Sequence, residues 1–275
     1  MTLIEQAHGI LDTVLAIHKP THAFVLTSGG NDSIVPLHLF HNHPRVTAAV
    51  HIDTGIKAPD VEPHVKRTCD DLGLPLLIYR AAENTKADGT PDPQNYDDIV
   101  KRHGFPGPAQ HRAFYIRLKE RQIERLIREH KAKRGDKIAL ITGVRKTESN
   151  RRMGNVQAIQ AESGRIWVAP ITDWRDADMR AYRAHHNLPE SPVSRKLGMS
   201  GECLCGAYAK PGELDRIAQH YPDIAKRLRD LQTESGCLWD WEHGPDHQWV
   251  EAGRGQGTLG FTPLCTSCVT RGRAA

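Results

Sequence analysis

Two groups of residues have the types and spacing for chemistry. The first is Ser28-Gly29-Gly30-Asn31-Asp32-Ser33, set between the apolar run Ala23–Leu26 and a helix-like run from Ile34 to Phe40. Paired glycines let backbone N–H groups approach an anion with no Cβ in the way, and a helix start adds favourable partial charge. Ser28 and Ser33 add hydroxyl donors. Asp32 is the discordant member. A carboxylate beside a phosphate needs a bridging cation, which predicts Mg²⁺, or else Asp32 is a helix cap. The glycine spacing is neither that of a Walker loop nor that of a dinucleotide fingerprint. A capped strand-to-helix turn with no ligand is the plain alternative.

The second group is sulfur. Of six cysteines, Cys203, Cys205, Cys237, Cys265 and Cys268 fall in the last third of the chain and Cys69 stands apart. Cys265-x-x-Cys268 has the half-site spacing of Zn²⁺ or an iron–sulfur cluster, because two thiolates so placed converge on one centre. Cys203-x-Cys205 can supply the other half, with Cys237 as a replacement ligand. Spacing alone does not choose between zinc and a [4Fe–4S] cluster, nor between three and four ligands. Buried free thiols are the plain alternative, and Cys69, on a predicted helix, reads as core.

These residues need a scaffold, and the first half of the chain supplies an alternating pattern. Apolar runs at 23–27, 46–52, 75–79 and 137–142 read as strands, with a further one at 166–169. Helical patterns at 3–18, 32–41, 60–72, 111–130 and 176–186 lie among them. Strand and helix in alternation predict an α/β fold, a Rossmann-like parallel sheet with helices on both faces. Residues 82–108, rich in Pro, Gly, Asn and Asp, read as a long loop or lid. Past residue 190 Pro, Gly, Cys and Trp dominate. The expected organisation is one domain over 1–190 that carries the glycine loop, read as the nucleotide-binding domain through the resemblance given below, and a Cys-containing, metal- or cluster-binding region over 191–275, with helices at 211–219 and 222–233.

Bulk properties narrow the class. The 275 residues are 25% charged and 39% hydrophobic, ordinary for a soluble globular protein. No apolar run is long enough to span a bilayer, and Met1–Ala16 lacks the basic start and cleavage site of a signal peptide, so a cytoplasmic protein with no membrane partner is expected. The net charge of +4 permits a polyanionic partner without demanding one. The basic segment 111–134 also carries Glu120, Glu124 and Glu129, and reads as a solvated, salt-bridged face rather than a DNA-binding stripe. Oligomeric state is open, a homo-oligomer included.

Four ordered segments carry a family resemblance. Ser28-Gly29-Gly30-x-Asp32-Ser33 resembles the pyrophosphate loop (PP-loop) of the adenine nucleotide α-hydrolase superfamily, with Asn31 where relatives often have Lys. Asp53-Thr54-Gly55 resembles the equivalent stretch of the phosphoadenosine phosphosulfate (PAPS) reductase branch. So do Gly143-Val144-Arg145 with Glu148-Ser149 and Arg151, and Pro170-Ile171-Thr172-Asp173-Trp174 with Leu188-Pro189 and Pro192. The resemblance implies nucleotide contacts from Ser28, Gly29, Gly30, Asn31, Asp32, Ser33, Asp53, Gly143, Arg145 and Arg151, with Asp32 and Arg145 catalytic. It also implies ATP and Mg²⁺ as cofactors and favours the [4Fe–4S] cluster over Zn²⁺.

No Glu-Cys-Gly nucleophile follows Cys268, unlike many such reductases. The expectation is therefore an ATP pyrophosphatase that activates an acceptor for sulfur insertion. It resembles most the DNA phosphorothioation proteins, with a cysteine desulfurase as sulfur donor and DNA within a modification complex as partner. The alternatives are a PAPS or adenylyl-sulfate reductase using Cys203, Cys205 or Cys237, and a non-catalytic nucleic-acid-binding subunit with structural zinc.

Overall fold

The computed structural model describes residues 1–86, 88–92, 95–108, 110–148, 156–162 and 164–239. The predicted strands appear as β1 (His22–Leu26), β2 (Val46–Asp53), β3 (Leu76–Arg80), β4 (Ile138–Ile141) and β6 (Arg165–Val168), joined by β5 (Ile159–Glu162). They form one sheet in the order β3-β2-β1-β4-β6-β5, parallel throughout except for the β5–β6 pair. The central strands explain their own composition: β4 is buried at every position and β1 at all but the first, so both read as continuous apolar runs. β5 escapes the sequence reading because it has four residues and no apolar run.

Ten α-helices flank the sheet among the described residues: α1 (Leu3–His18), α2 (Ile34–Phe40), α3 (Val61–Asp71), α4 (Tyr96–His103), α5 (His111–Tyr115), α6 (Arg121–His130), α7 (Asp176–His185), α8 (Pro192–Leu197), α9 (Glu213–His220) and α10 (Pro222–Ser235). Thr2 and Glu5 form a capping box that starts α1, which buries Ala7, Leu11 and Val14 at helical spacing. Pro36 does not break α2, because it lies in the first turn where its missing N–H costs nothing. On one face of the sheet, Phe24, Val50, Ile52 and Leu140 pack with Ile123 and Leu126 of α6. The other face joins Val25, Ala49 and Ile141 to α1, α2, α3 and α7, and the same core takes in Leu204, Ile217, Leu228 and Trp239. The described part of 191–239 thus shares the core of the sheet.

Two expectations need correction. Residues 82–108 are not one loop: Asn95 caps α4 through Oδ1, which accepts from the Asp98 N–H at 3.0 Å, and Tyr96, Ile99 and Val100 are buried. Only eight residues long, α4 is held by tertiary contact with α10, where Arg227 grips Asp97 at 2.6 Å. The 111–130 helix is interrupted by a π turn over Ile116–Glu120. Its outer face is salt-bridged as expected, with Arg121 on Asp92 at 2.7 Å and Arg125 on Glu83 at 3.1 Å. No described helix is long and apolar enough to cross a membrane.

A histidine cluster joins α2 to α7. His38 Nδ1 lies 2.8 Å from the Tyr182 hydroxyl, and its ring packs against His186 and His41, with His185 edge-on to His186. Burial foremost, then His186 and His41, pull the His38 pKa from 6.5 to about 4. The unfolded chain therefore takes up this proton first. The stabilisation is whole above pH 6.5 and is lost as pH falls towards 4. Urea titrations should show the wild type losing stability across that window, with a shallower loss in His38→Gln; equal slopes would show that His38 does not carry it.

Candidate functional site

The chain order of the sheet reverses between β1 and β4, since β2 and β3 lie to one side and β6 and β5 to the other. Loops leaving two such strands diverge and leave a crevice at their carboxyl ends. A cleft open to solvent lies there. Leu26, Val50, Ile52 and Val144 give it an apolar lining; Thr27, Ser28, Ser33, Thr142, Gly143 and Glu202 complete it. An apolar wall with a few convergent polar groups suits a flat heterocycle carrying a polar tail.

The Ser28–Ser33 loop forms the polar end. Ser33 Oγ accepts from the Ser28 N–H at 3.2 Å and the Ser28 hydroxyl at 3.1 Å, and donates to the Gly30 carbonyl at 3.0 Å. The Gly29 and Gly30 N–H groups reach only side-chain hydroxyls, at 3.3 Å each. Such long bonds yield readily to a charged acceptor. Gly29 has φ +73°, and a Cβ there would stand 2.9 Å from Val65 Cγ2. Gly143 meets the loop from β4: its Cβ would lie 2.9 Å from the Asp32 carbonyl.

Arg145, two residues beyond Gly143, is buried and hydrogen-bonded at both terminal nitrogens. Nη2 donates to Asp32 at 2.8 Å, while Nη1 donates to Asp176 at 2.8 Å, Thr147 Oγ1 at 3.0 Å and the Trp174 carbonyl at 3.3 Å. The Asp32 carboxylate thus has a cationic partner from the β4 loop. Asn31 serves a different contact, since its Oδ1 accepts from the Ser191 N–H at 2.9 Å and ties the loop to the start of α8.

Asp53, at the end of β2, accepts from the Gly55 N–H at 2.9 Å and from Lys57 and Arg80 at 2.7 Å each. Lys57 and Arg80 also bind Glu62, at 2.6 and 2.9 Å. Burial alone would raise the Asp53 pKa, but Lys57, Gly55 and Arg80 hold it below the usual range. Arg80 foremost, with Lys57 and Lys66, holds Glu62 well below the usual carboxylate range. Asp53 thus sits at the strand end as expected, inside an ion-pair network.

The cysteine segment folds over the same end of the sheet. The Ala58 N–H donates to the Gly201 carbonyl and the Leu204 N–H to the Ile56 carbonyl, both at 2.9 Å, and the Thr54 hydroxyl donates to the Glu202 carbonyl at 3.0 Å. The Tyr96 hydroxyl reaches the Cys205 carbonyl at 3.1 Å, and the Trp239 indole N–H the Leu204 carbonyl at 2.9 Å. Cys203 is half-buried, Cys205 buried and Cys237 exposed beside Gly104. Arg151, Cys265 and Cys268 lie outside the described residues. Among the described residues no three His, Cys, Asp or Glu side chains are grouped to hold a metal. These residues alone therefore do not make a zinc or cluster site. Cys69 is core, as expected, its thiol pushed up to about 12 by burial.

Sequence reasoning missed three residues. Lys119, in the π turn, pairs with Glu202 at 3.0 Å, both almost fully buried. His51 is buried on β2, with Nδ1 against the Thr27 carbonyl at 3.0 Å, Nε2 without a partner, and a pKa lowered by burial. Glu202 could have been singled out as the neighbour of Cys203. Nothing in the sequence separates Lys119 from the other cations around it.

Arg145 bridges two loops, so removing it should loosen both. Arg145→Ala leaves Asp32 and Asp176, each partly exposed, without their partner, and should cost about 2 kcal/mol by chemical denaturation. Arg145→Lys keeps the charge but cannot span both carboxylates, and should recover less than half of that loss. Full recovery by Lys would show that charge alone matters.

Comparison with known proteins gives the family and supports the fold. A family model described as the phosphoadenosine phosphosulfate reductase domain matches residues 22–197. The phosphoadenosine 5'-phosphosulfate reductase of Xylella fastidiosa (strain M12) is 26% identical over 176 residues, 64% of this chain and 68% of that protein. The same enzyme of Thiocapsa roseopersicina is 27% identical over 181 residues, with the same coverage. A crystal structure of phosphoadenylyl-sulfate reductase from Candida auris, a phosphate complex, shares the fold with a TM-score of 0.50 at 20% identity, covering 70% of this chain and 85% of that one. The family match runs over more than half of the sequence, from β1 through α8, and the chain belongs to the phosphoadenosine phosphosulfate reductase domain family.

Proposed function

We propose that the protein is a sulfonucleotide reductase acting on phosphoadenylyl sulfate or adenylyl sulfate. The observation that carries this reading is the place of Gly201–Cys205: a segment bearing two cysteines forms part of the wall of the cleft that the Ser28–Ser33 loop closes. Adenine would lie against Leu26, Val50 and Ile52. The phosphate would replace the long hydroxyl bonds to the Gly29 and Gly30 N–H groups. Arg145 would act through Asp32, holding the loop in shape, rather than as a free cation.

The chemistry needs a thiolate, and Cys203 is the candidate. Its sulfur attacks the sulfate sulfur of the nucleotide, the bond from that sulfur to the phosphate oxygen breaks, and the nucleotide leaves with the electron pair. A second thiol then attacks the Cys203 sulfur, releasing sulfite and forming a disulfide. An external dithiol reduces that disulfide and supplies the two electrons. This chemistry suits a reducing compartment such as the cytoplasm.

A second reading keeps the same cleft for ATP: Mg²⁺-assisted release of pyrophosphate while an acceptor, DNA in the phosphorothioation case, receives sulfur delivered from a desulfurase. It is favoured by Cys203 and Cys205 together with Cys265 and Cys268, the ligand set of a [4Fe–4S] cluster, or alternatively of Zn²⁺.

Incubation with PAPS and a thioredoxin-type dithiol should release sulfite, and Cys203→Ser should abolish it. Asp32→Ala should lower the rate roughly tenfold or more by freeing the loop. Pyrophosphate release from ATP with no sulfite from either sulfonucleotide would replace this reading with the second.

A further inference from the structure

The Lys119–Glu202 pair is out of place for a purely structural contact. Glu202 lines a cleft suited to an anionic nucleotide, yet it is itself an anion, 6% exposed, neutralised by a lysine 3% exposed at 3.0 Å. Burying two charges gains little net stability, whereas stranding one of them is strongly destabilising. Lys119 stands in the π turn that interrupts the helix, a local distortion often found at functional positions. Glu202 lies in the segment that carries Cys203 and Cys205. Ser200 of this segment also presses on the loop: a Cβ on Gly30 would stand 2.8 Å from Ser200 Cβ.

From this arrangement we infer that Glu202 is a positioning residue that couples the nucleotide cleft to the cysteine segment. With the cleft empty, Lys119 holds Glu202, and the segment is latched to the β2–α3 connection. A nucleotide phosphate or sulfate entering beside Glu202 repels its carboxylate and shares the Lys119 charge. A weakened pair leaves Glu202 buried without compensation, and the segment relieves this by swinging out until the carboxylate meets water. The nucleotide thereby loosens the segment that carries Cys203, making the thiol accessible when substrate is present. The inference rests on the nucleotide-binding reading of the cleft but not on which sulfur chemistry follows.

Two backbone amides report the latch, because each hydrogen bond crosses between the segment and the connection: Ala58 N–H to the Gly201 carbonyl and Leu204 N–H to the Ile56 carbonyl. Hydrogen exchange of the full-length protein should quicken at both by roughly tenfold when ATP or adenosine 3',5'-bisphosphate is added. Amides of β1 should not respond. In Glu202→Gln both amides should exchange fast without nucleotide and gain little from it. By linkage, this variant should bind either nucleotide several-fold more tightly. The double variant Lys119→Glu/Glu202→Lys should restore slow exchange in the empty protein.

Equilibrium dialysis on the same samples separates the possible failures. Bound nucleotide with unchanged or slower exchange at Ala58 and Leu204 overturns the coupling and leaves the binding reading intact. No bound nucleotide at millimolar concentration overturns both.

Discussion

The grip of Arg145 on Asp32 is the contact on which the site depends. β1 and β4 are neighbours in the sheet, but their following loops turn to opposite sides and nothing in the sheet joins them. Arg145 joins them, reaching from the β4 loop to Asp32 on one side and to Asp176, Thr147 and the Trp174 carbonyl on the other. Its planar fork can hold four acceptors at once, which a lysine cannot. Gly143 makes the grip possible, because any side chain there would meet the Asp32 backbone. The loop that looks pliable in sequence is thus braced from behind.

Similar contacts shape the other walls. Asn31 fastens the loop to Ser191, and Ser200 presses on Gly30, so the chain leaving α8 is shaped by the loop it covers. The cysteine segment then runs beside residues 54–58 and returns Glu202 to the cleft. The polar parts of the crevice are in this way loops leaving a strand or a segment laid over one, while Leu26, Val50 and Ile52 of the strands give its apolar wall. The sheet beneath supplies rigidity, and the polar work is done where the backbone leaves regular structure. The buried Lys119–Glu202 pair holds charge of both signs inside this construction.

Much of this architecture is legible before folding. The central strands read as apolar runs because both of their faces are covered, and helices such as α1 carry caps and periodic apolar faces. The paired glycines and hydroxyls between β1 and α2 mark the anion-suited turn, since few other residues tolerate that backbone and packing. What was hidden is short or context-dependent. β5 and α4 are too brief for a periodic signal, and α4 exists because α10 packs on it. The π turn leaves no mark in residue types, because it is a change of hydrogen-bond register in an otherwise helical segment.

The partners of the charged residues were the least legible part. Arg145, Asp32 and Asp53 stand out in the sequence because each lies at or beyond the end of a strand, but their neighbours come from positions up to 113 residues away. The sequence by itself determined the parallel strands, their alternation with the longer helices, and the chemistry the glycine loop can offer, because these follow from local spacing and backbone sterics. Only the tertiary structure decided that Arg145 neutralises Asp32, that Asn31 holds Ser191, and that Glu202 brings a cysteine segment to the cleft. Electrostatic partnership depends on distance in space and on burial, and neither is a property of neighbouring residues in a chain.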